Sequence, residues 1–224
     1  MAGKITALRF QKRNQDRVNV YIDDRFAFGL AAIEAAHLHV GQVLSDADIA
    51  RLQERDEVEK AYERALNFLS YRPRSEAEVR RNLRRKGLDD EVVEAVVDRL
   101  VRAGLLDDEA FARYWVENRL QFNPRGIRGL RYELRKKGVP DEIIADVLAE
   151  LDEEAAARTV AEGAIRRFAS LPPVEFRRRL GAYLARRGFA YAVIQPLIEE
   201  ILETGYGHYR NQKPENPGES NGGS

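Results

Sequence analysis

Cysteine is absent from the 224-residue chain. That excludes disulfides, thiolate nucleophiles and cysteine metal sites, and it fits a cytosolic setting. Histidine is scarce: His37, His39 and His208 fall in no catalytic or metal-binding spacing. No apolar run approaches the roughly 18 residues of a membrane helix, and the opening Met1-Ala2-Gly3-Lys4 lacks the apolar core of a secretory signal. A glycine-rich phosphate loop is missing as well. Gly126 and Gly129 read as lying inside a helix, with no Gly-Lys-Ser/Thr ending. The acidic groups Asp107-Asp108-Glu109 and Asp141-Glu142 are what a positive helix N-terminus attracts, so they need no metal to explain them. The expectation is a protein without catalytic residues, cofactor or metal.

What the chain does have is a repeat. Leu83-Arg84-Arg85-Lys86-Gly87 returns as Leu134-Arg135-Lys136-Lys137-Gly138 and as Leu184-Ala185-Arg186-Arg187-Gly188. A fixed long period marks a repeat architecture. Apolar residues hold the same register around each glycine: Val79, Leu130 and Leu180 before it, and Leu88, Val139 and Phe189 just after. Farther on come Val93, Val96, Val97 and Leu100, matched by Ile144, Val147, Leu148 and Leu151, and by Ile194, Leu197, Ile198 and Ile201. These offsets are the stripe of an amphipathic helix. Each glycine stops a helix by taking the left-handed conformation, and the apolar residue after it folds back on the leucine one turn inside.

Net charge is zero, with 37 Lys and Arg against 37 Asp and Glu, but the charges are sorted. Residues 72–87, 124–138 and 172–188 are rich in arginine and lysine, whereas the helices that follow the first two are acidic, as in Asp89-Asp90-Glu91 and Asp141-Glu142. The balance therefore hides a basic stripe on the middle helix of each unit. Arginine dominates, with 30 of the 37 cations, and its planar fork suits phosphate and carboxylate. The candidate contact residues are Arg72, Arg74, Arg80, Arg81, Arg84, Arg85 and Lys86 in the first unit. The second supplies Arg125, Arg128, Arg131, Arg135, Lys136 and Lys137, and the third Arg186 and Arg187. Two readings compete: a repeated contact with a periodic acidic partner, or a solvated face neutralised by the acidic helix of the next unit.

Taken in order, residues 4–29 alternate as a three-stranded meander, with Val18, Val20 and Ile22 on one face. A helix over 31–39 and one from the Ser45 capping box to about Arg55 complete an N-terminal lobe, residues 1–56. Three-helix repeats follow at 57–106, 107–152 and 153–206. Ser75 with Glu78 forms a second capping box, and Asn123-Pro124 serves as N-cap and first residue of the middle helix of repeat 2. The tail, 207–224, is expected to be disordered. The fold class is mainly α, three tandem three-helix repeats behind a small β-meander and helix lobe.

Leu69-Ser70-Tyr71-Arg72-Pro73-Arg74-Ser75-Glu76 with Leu83 through Gly87 resembles a signature of the RecX family of recombinase regulators. Gly104 through Ala112 with Asn118-Arg119 resembles its second signature, and Pro124-Arg125-Gly126 with Leu134 through Gly138 its third. The resemblance covers about residues 57–204. It implies tandem three-helix modules in a curved, elongated arrangement, and a non-enzymatic cytoplasmic regulator, expected to be monomeric. Its implied partner is the RecA recombinase filament on single-stranded DNA, whose growth, ATP hydrolysis and strand exchange it restrains in recombination and the SOS response. Direct contact with the DNA is left open, and a stand-alone helical DNA-binding protein is the alternative. Ala185, where the other repeats have Arg84 and Arg135, departs from the pattern and weakens the basic face of the third unit.

Overall fold

Period-2 apolar residues build the sheet at the start of the chain. The computed structural model describes residues 2–205 and divides into two compact units, Met1–Asp108 and Glu109–Ser224. The proposed disordered tail at 207–224, and His208 within it, lie outside the described residues.

In the first unit, β1 (Gly3–Phe10), β2 (Arg17–Ile22) and β3 (Arg25–Ala31) form the expected antiparallel meander. Val18, Val20 and Ile22 face inward with Ile5, Phe28 and Leu30. Asp23 and Asp24 both have positive φ, 49° and 64°, the conformation of the two-residue hairpin turn that matches strand twist. A fourth strand, β4 (Val43–Leu44), pairs with β1 and makes the order β3-β2-β1-β4. Two residues show no alternation, which is why the sequence pattern did not reveal it. The helix expected over 31–39 shrinks to one turn, α1 (Ala32–Ala35).

The Ser45 capping box with Asp48 is present, but the helix it starts does not end near Arg55. It runs on as α2 (Asp46–Ser70), 25 residues long. Nothing between 46 and 70 is proline or glycine, so nothing breaks it. Its first half packs on the sheet through Ile49 and Leu52. Its second half joins α3 (Glu76–Arg85) and α4 (Asp90–Arg102) around Val79, Leu83, Val96 and Leu100. Ser75 accepts the Glu78 N–H at α3's start.

The second unit holds two more three-helix sets. In the first, α5 (Asp108–Phe122), α6 (Ile127–Lys137) and α7 (Asp141–Ala149) enclose Phe111, Leu130, Leu134 and Ile144. In the next, α8 (Glu153–Phe168), α9 (Pro173–Arg186) and α10 (Tyr191–Glu203) enclose Ile165, Phe176, Leu180 and Leu184. The register residues of the sequence repeat form the cores of all three sets, with Leu88 and Leu151 half-buried at their edges. Gly87, Gly138 and Gly188 have φ of 81°, 86° and 87°. Val139 and Phe189 donate backbone N–H to Leu134 and Leu184, the six-to-one closure of the expected helix stop.

The start of α6 differs from expectation. Gly126, not Asn123, is its N-cap. The reason lies in the next repeat: Gly126 N–H donates to Arg187 O, Arg128 N–H to Gly188 O, and Ile127 N–H to Glu153 Oε1. Asn123 Oδ1 and Pro124 O instead accept from the Arg187 guanidinium. Main chain meets main chain here, because a Cβ on Gly126 would lie 2.4 Å from Phe189 N, and one on Gly129 2.8 Å from Arg187 O.

Candidate functional site

Most of the cations at the start and middle of the basic helices are already engaged. Arg72 forks both oxygens of Glu78. Arg80 bridges Glu76 at 2.8 Å and Glu94 at 2.9 Å, and Arg84 bridges Asp90 at 2.7 Å and Glu94 at 3.4 Å. Burial pulls the Arg80 pKa down, but the hydrogen bonds to Glu94 and Glu76 outweigh it and leave it raised. In the second repeat Arg135 pairs with Asp141 at 2.6 Å, which raises the arginine and lowers the aspartate. Arg125 lies 3.6 Å from Glu133. Arg74 stacks on Phe68 at 4.0 Å; burial, and then Arg72 beside it, pull its pKa down. Neutralisation is thus real, and its carboxylates sit within the same repeat rather than on the next one.

A second set has a different fate. Two residues before each repeat glycine stand Arg85, Lys136 and Arg186, all exposed and without an ion pair among the described residues. Lys86 and Arg128 share that condition. Arg131 is exposed and reaches Asp141 only through the field. Arg81 and Lys137 are partnered, Lys137 lying 4.6 Å from the Trp115 ring centroid. Arg187 is spent on the α6 junction and lies over Tyr183. Of the fifteen cations singled out in sequence, those in register at the helix ends therefore remain available.

Lys136, Arg128 and Arg186 converge on one groove of about 1240 Å³ inside the second unit. One wall is α6, with Arg128, Tyr132 and Lys136 one turn apart. The other is α9 and α10, with Gly181, Ala185, Tyr191 and Gln195. The groove's two carboxylates are already matched. Glu133 takes Arg119 at 2.6 Å and the Trp115 indole N–H at 2.9 Å, and Glu199 takes Arg177 at 2.9 Å. Sequence reasoning missed Trp115, Arg119, Tyr132 and Arg177 as lining residues, because their common location depends on the glycine junction that brings two repeats together.

The acidic helix starts are structural. Asp108 Oδ1 accepts Glu76 N–H at 2.9 Å, closing the N-terminus of α3 just as Glu153 closes that of α6. Burial raises the Asp108 pKa, with the bond from Glu76 N–H opposing it. Asp108→Asn keeps the acceptor and removes a buried charge, so it should change stability by less than about 1 kcal/mol. Asp108→Ala strands a backbone donor and should cost about 1–3 kcal/mol in urea denaturation. Equal losses for the two would contradict the capping role. Among the described residues no group of three or more His, Asp or Glu side chains is placed to hold a metal, and no helix is long and apolar enough to cross a membrane.

Four family models match in sequence order. They are the RecX N-terminal domain over residues 3–45 and the first, second and third RecX three-helix domains over 61–100, 107–148 and 152–198. Regulatory protein RecX of Bacillus subtilis is 35% identical over 202 residues, covering 88% of this chain and 76% of the relative. The chain belongs to the RecX family. The Prosthecochloris aestuarii RecX is 39% identical over 145 residues, covering 64% of this chain and 94% of that one. Among solved structures, a regulatory protein RecX superposes with TM-score 0.77 at 28% identity, over 89% of this chain and all of the other. RecX from Lactobacillus salivarius gives 0.62 at 26% identity, over 66% of this chain and 99% of the other. These RecX relatives are named regulatory proteins.

Proposed function

We propose that this chain is a cytoplasmic, monomeric regulator that binds the RecA recombinase filament on single-stranded DNA. It restrains filament growth, ATP hydrolysis and strand exchange, and with them recombinational repair and the SOS response. The observation that carries the reading is the threefold recurrence of one exposed, unpaired cation at the same register, Arg85, Lys136 and Arg186. A partner with a repeating acidic surface would meet one such charge per repeat. Membership of the RecX family, under a regulatory name, supports the same reading.

The test is co-sedimentation with RecA filaments on single-stranded DNA, with RecA ATP hydrolysis read in parallel. Reversing three exposed contacts at roughly 1 kcal/mol each should weaken binding about 100-fold in the Arg85→Glu/Lys136→Glu/Arg186→Glu protein. The paired residues provide the control, since Arg84→Ala/Arg135→Ala should change binding less than about 5-fold. Measurements belong at ~150 mM salt, where weak surface attraction is screened. Unchanged binding and inhibition in the triple variant would sink this reading. Equally tight binding to naked DNA, with a steep salt dependence, would favour a stand-alone DNA-binding protein instead.

A further inference from the structure

The groove in the second unit exists because the third repeat has lost a seam that the first repeat keeps. In repeat 1, Arg80 and Arg84 on α3 are bridged to Asp90 and Glu94 on α4. These four residues lie seven and three before the repeat glycine and three and seven after it. The same four positions in repeat 3 are Gly181, Ala185, Tyr191 and Gln195. Cations and carboxylates have gone together, and all four replacements line the groove.

The result is a cleft whose α9–α10 wall is uncharged at these four positions and faces the cations of α6. Gly181, Ala182 and Ala185 keep the outer face of α9 low, which permits another helix to approach at roughly 8–10 Å. Opposite them, Arg128, Tyr132 and Lys136 follow one line along α6. Its end cations are eight residues apart, about 12 Å at 1.5 Å per residue, and neither has an ion pair among the described residues. Arg186 adds a third free cation beside Ala185. Repeat 1 shows what such a basic helix packs against, namely an acidic helix whose Glu94 serves two arginines.

We propose that this groove is a docking site for an acidic amphipathic helix of a partner protein. Its apolar side chains would lie on Gly181, Ala185 and the flank of Tyr191, and its carboxylates would meet Arg128, Lys136 and Arg186. Charge complementarity selects the acidic partner. The low Gly181–Ala185 stretch favours a peptide helix, which needs close approach, over a nucleic-acid strand, for whose bases only the rim tyrosines Tyr132 and Tyr191 offer open rings among the lining aromatics. The face of Trp115 is taken, with Arg119 at 4.5 Å and Lys137 at 4.6 Å from the ring centroid. Tyr132 and Tyr191 stand exposed at the rims, as tyrosines do in protein interfaces.

Trp115 is the only tryptophan, so its emission reports on the groove directly. The probe is a synthetic peptide of about fifteen residues with leucines at i, i+3, i+4 and i+7 spacing and glutamates beside them. It should perturb Trp115 and bind at least ten-fold tighter than its lysine-for-glutamate counterpart or oligo-thymidine of about fifteen nucleotides. Ala185→Arg/Tyr191→Asp rebuilds the Arg–Asp bridge that repeats 1 and 2 already carry, without touching Arg85, Lys136 or Arg186. This variant should keep its CD spectrum and its co-sedimentation with filaments, yet lose peptide affinity ten-fold or more. Retained affinity in that variant, no peptide binding to the parent protein, or oligo-thymidine binding that the peptide does not displace would each overturn the proposal. Filament binding is read separately, so the failure of one reading is distinguishable from failure of the other.

Discussion

Gly188→Ala is expected to destabilise the second unit by about 2–5 kcal/mol, whereas Gly87→Ala costs about 1–2 kcal/mol. Both glycines follow the middle helix of their repeat with nearly the same positive φ, 81° and 87°. The backbone term is therefore shared, about 1–2 kcal/mol for an alanine held in the left-handed region. The surroundings differ. Nothing lies within 4 Å of a Cβ built on Gly87, but one on Gly188 would sit 2.3 Å from Gly129 N and 2.6 Å from Gly129 Cα. Those are main-chain atoms of a helix, not the free end of a flexible side chain. Relief requires moving α6 away from the α9 turn, which stretches the bonds from Gly126 N–H to Arg187 O and from Arg128 N–H to Gly188 O. Overpacking of that kind adds about 1–3 kcal/mol. At roughly 4–8 °C per kcal/mol for a domain of about a hundred residues, Gly188→Ala should lower the melting temperature of the second unit by about 10 °C or more, followed by Trp115 emission. Similar losses for Gly87→Ala and Gly188→Ala would mean that the junction contributes nothing.

The contrast between these glycines shows what could be read in the sequence and what could not. Helix stops and core residues were legible because they depend on short-range rules: a glycine at the stop, a leucine four before it, an apolar stripe at helical spacing. Both glycines obey them, so both looked alike. That Gly188 also receives Gly129 depends on how one repeat meets the next, and no periodicity records it. The same applies to Gly126, which read as a helix interior and is a cap, since its N–H is satisfied by Arg187 from another repeat. The long α2 was misread in a different way. The lobe boundary at residue 56 implies a helix end near Arg55, yet no proline or glycine interrupts residues 46–70 and one helix crosses it.

The basic stripe was legible as composition and only partly as a surface. Arg84 and Arg135 sit six residues before Asp90 and Asp141, a spacing that crosses a glycine turn and so escapes a search for helical ion pairs. Ala185 was visible as a missing arginine. Its meaning emerges when Tyr191 is seen to be the missing aspartate, because together they turn a closed seam into an open wall. The exposed cations two before each glycine follow from helix geometry: Val79 and Leu83, Leu130 and Leu134, and Leu180 and Leu184 face inward, and that position lies beyond reach of the following helix's carboxylates.

Asp56→Ala should destabilise the first unit by about 3–5 kcal/mol. Asp56 is 2% exposed on the inner face of α2. It accepts from Arg17 Nη2 on β2 at 2.9 Å, from Ala31 N–H at the end of β3 at 2.8 Å, and pairs with Lys60 Nζ at 2.7 Å. One carboxylate thus ties two strands to the helix that continues into the first three-helix set. Removing it leaves a largely buried guanidinium and a buried N–H unsatisfied, a greater penalty than losing an exposed pair. Burial pushes the Asp56 pKa up, but the bonds from Arg17, Lys60 and Ala31 N–H outweigh it and leave it lowered. A lowered pKa stabilises the fold above the ordinary carboxylate range, near pH 4. That stability is lost as pH falls from there through the folded-state value. Urea denaturation followed by far-UV CD should therefore show a large deficit for Asp56→Ala at pH 7 that narrows as the parent protein is taken below about pH 4. A deficit of the same size at both ends of that range would show that Asp56 acts through packing rather than through its charge.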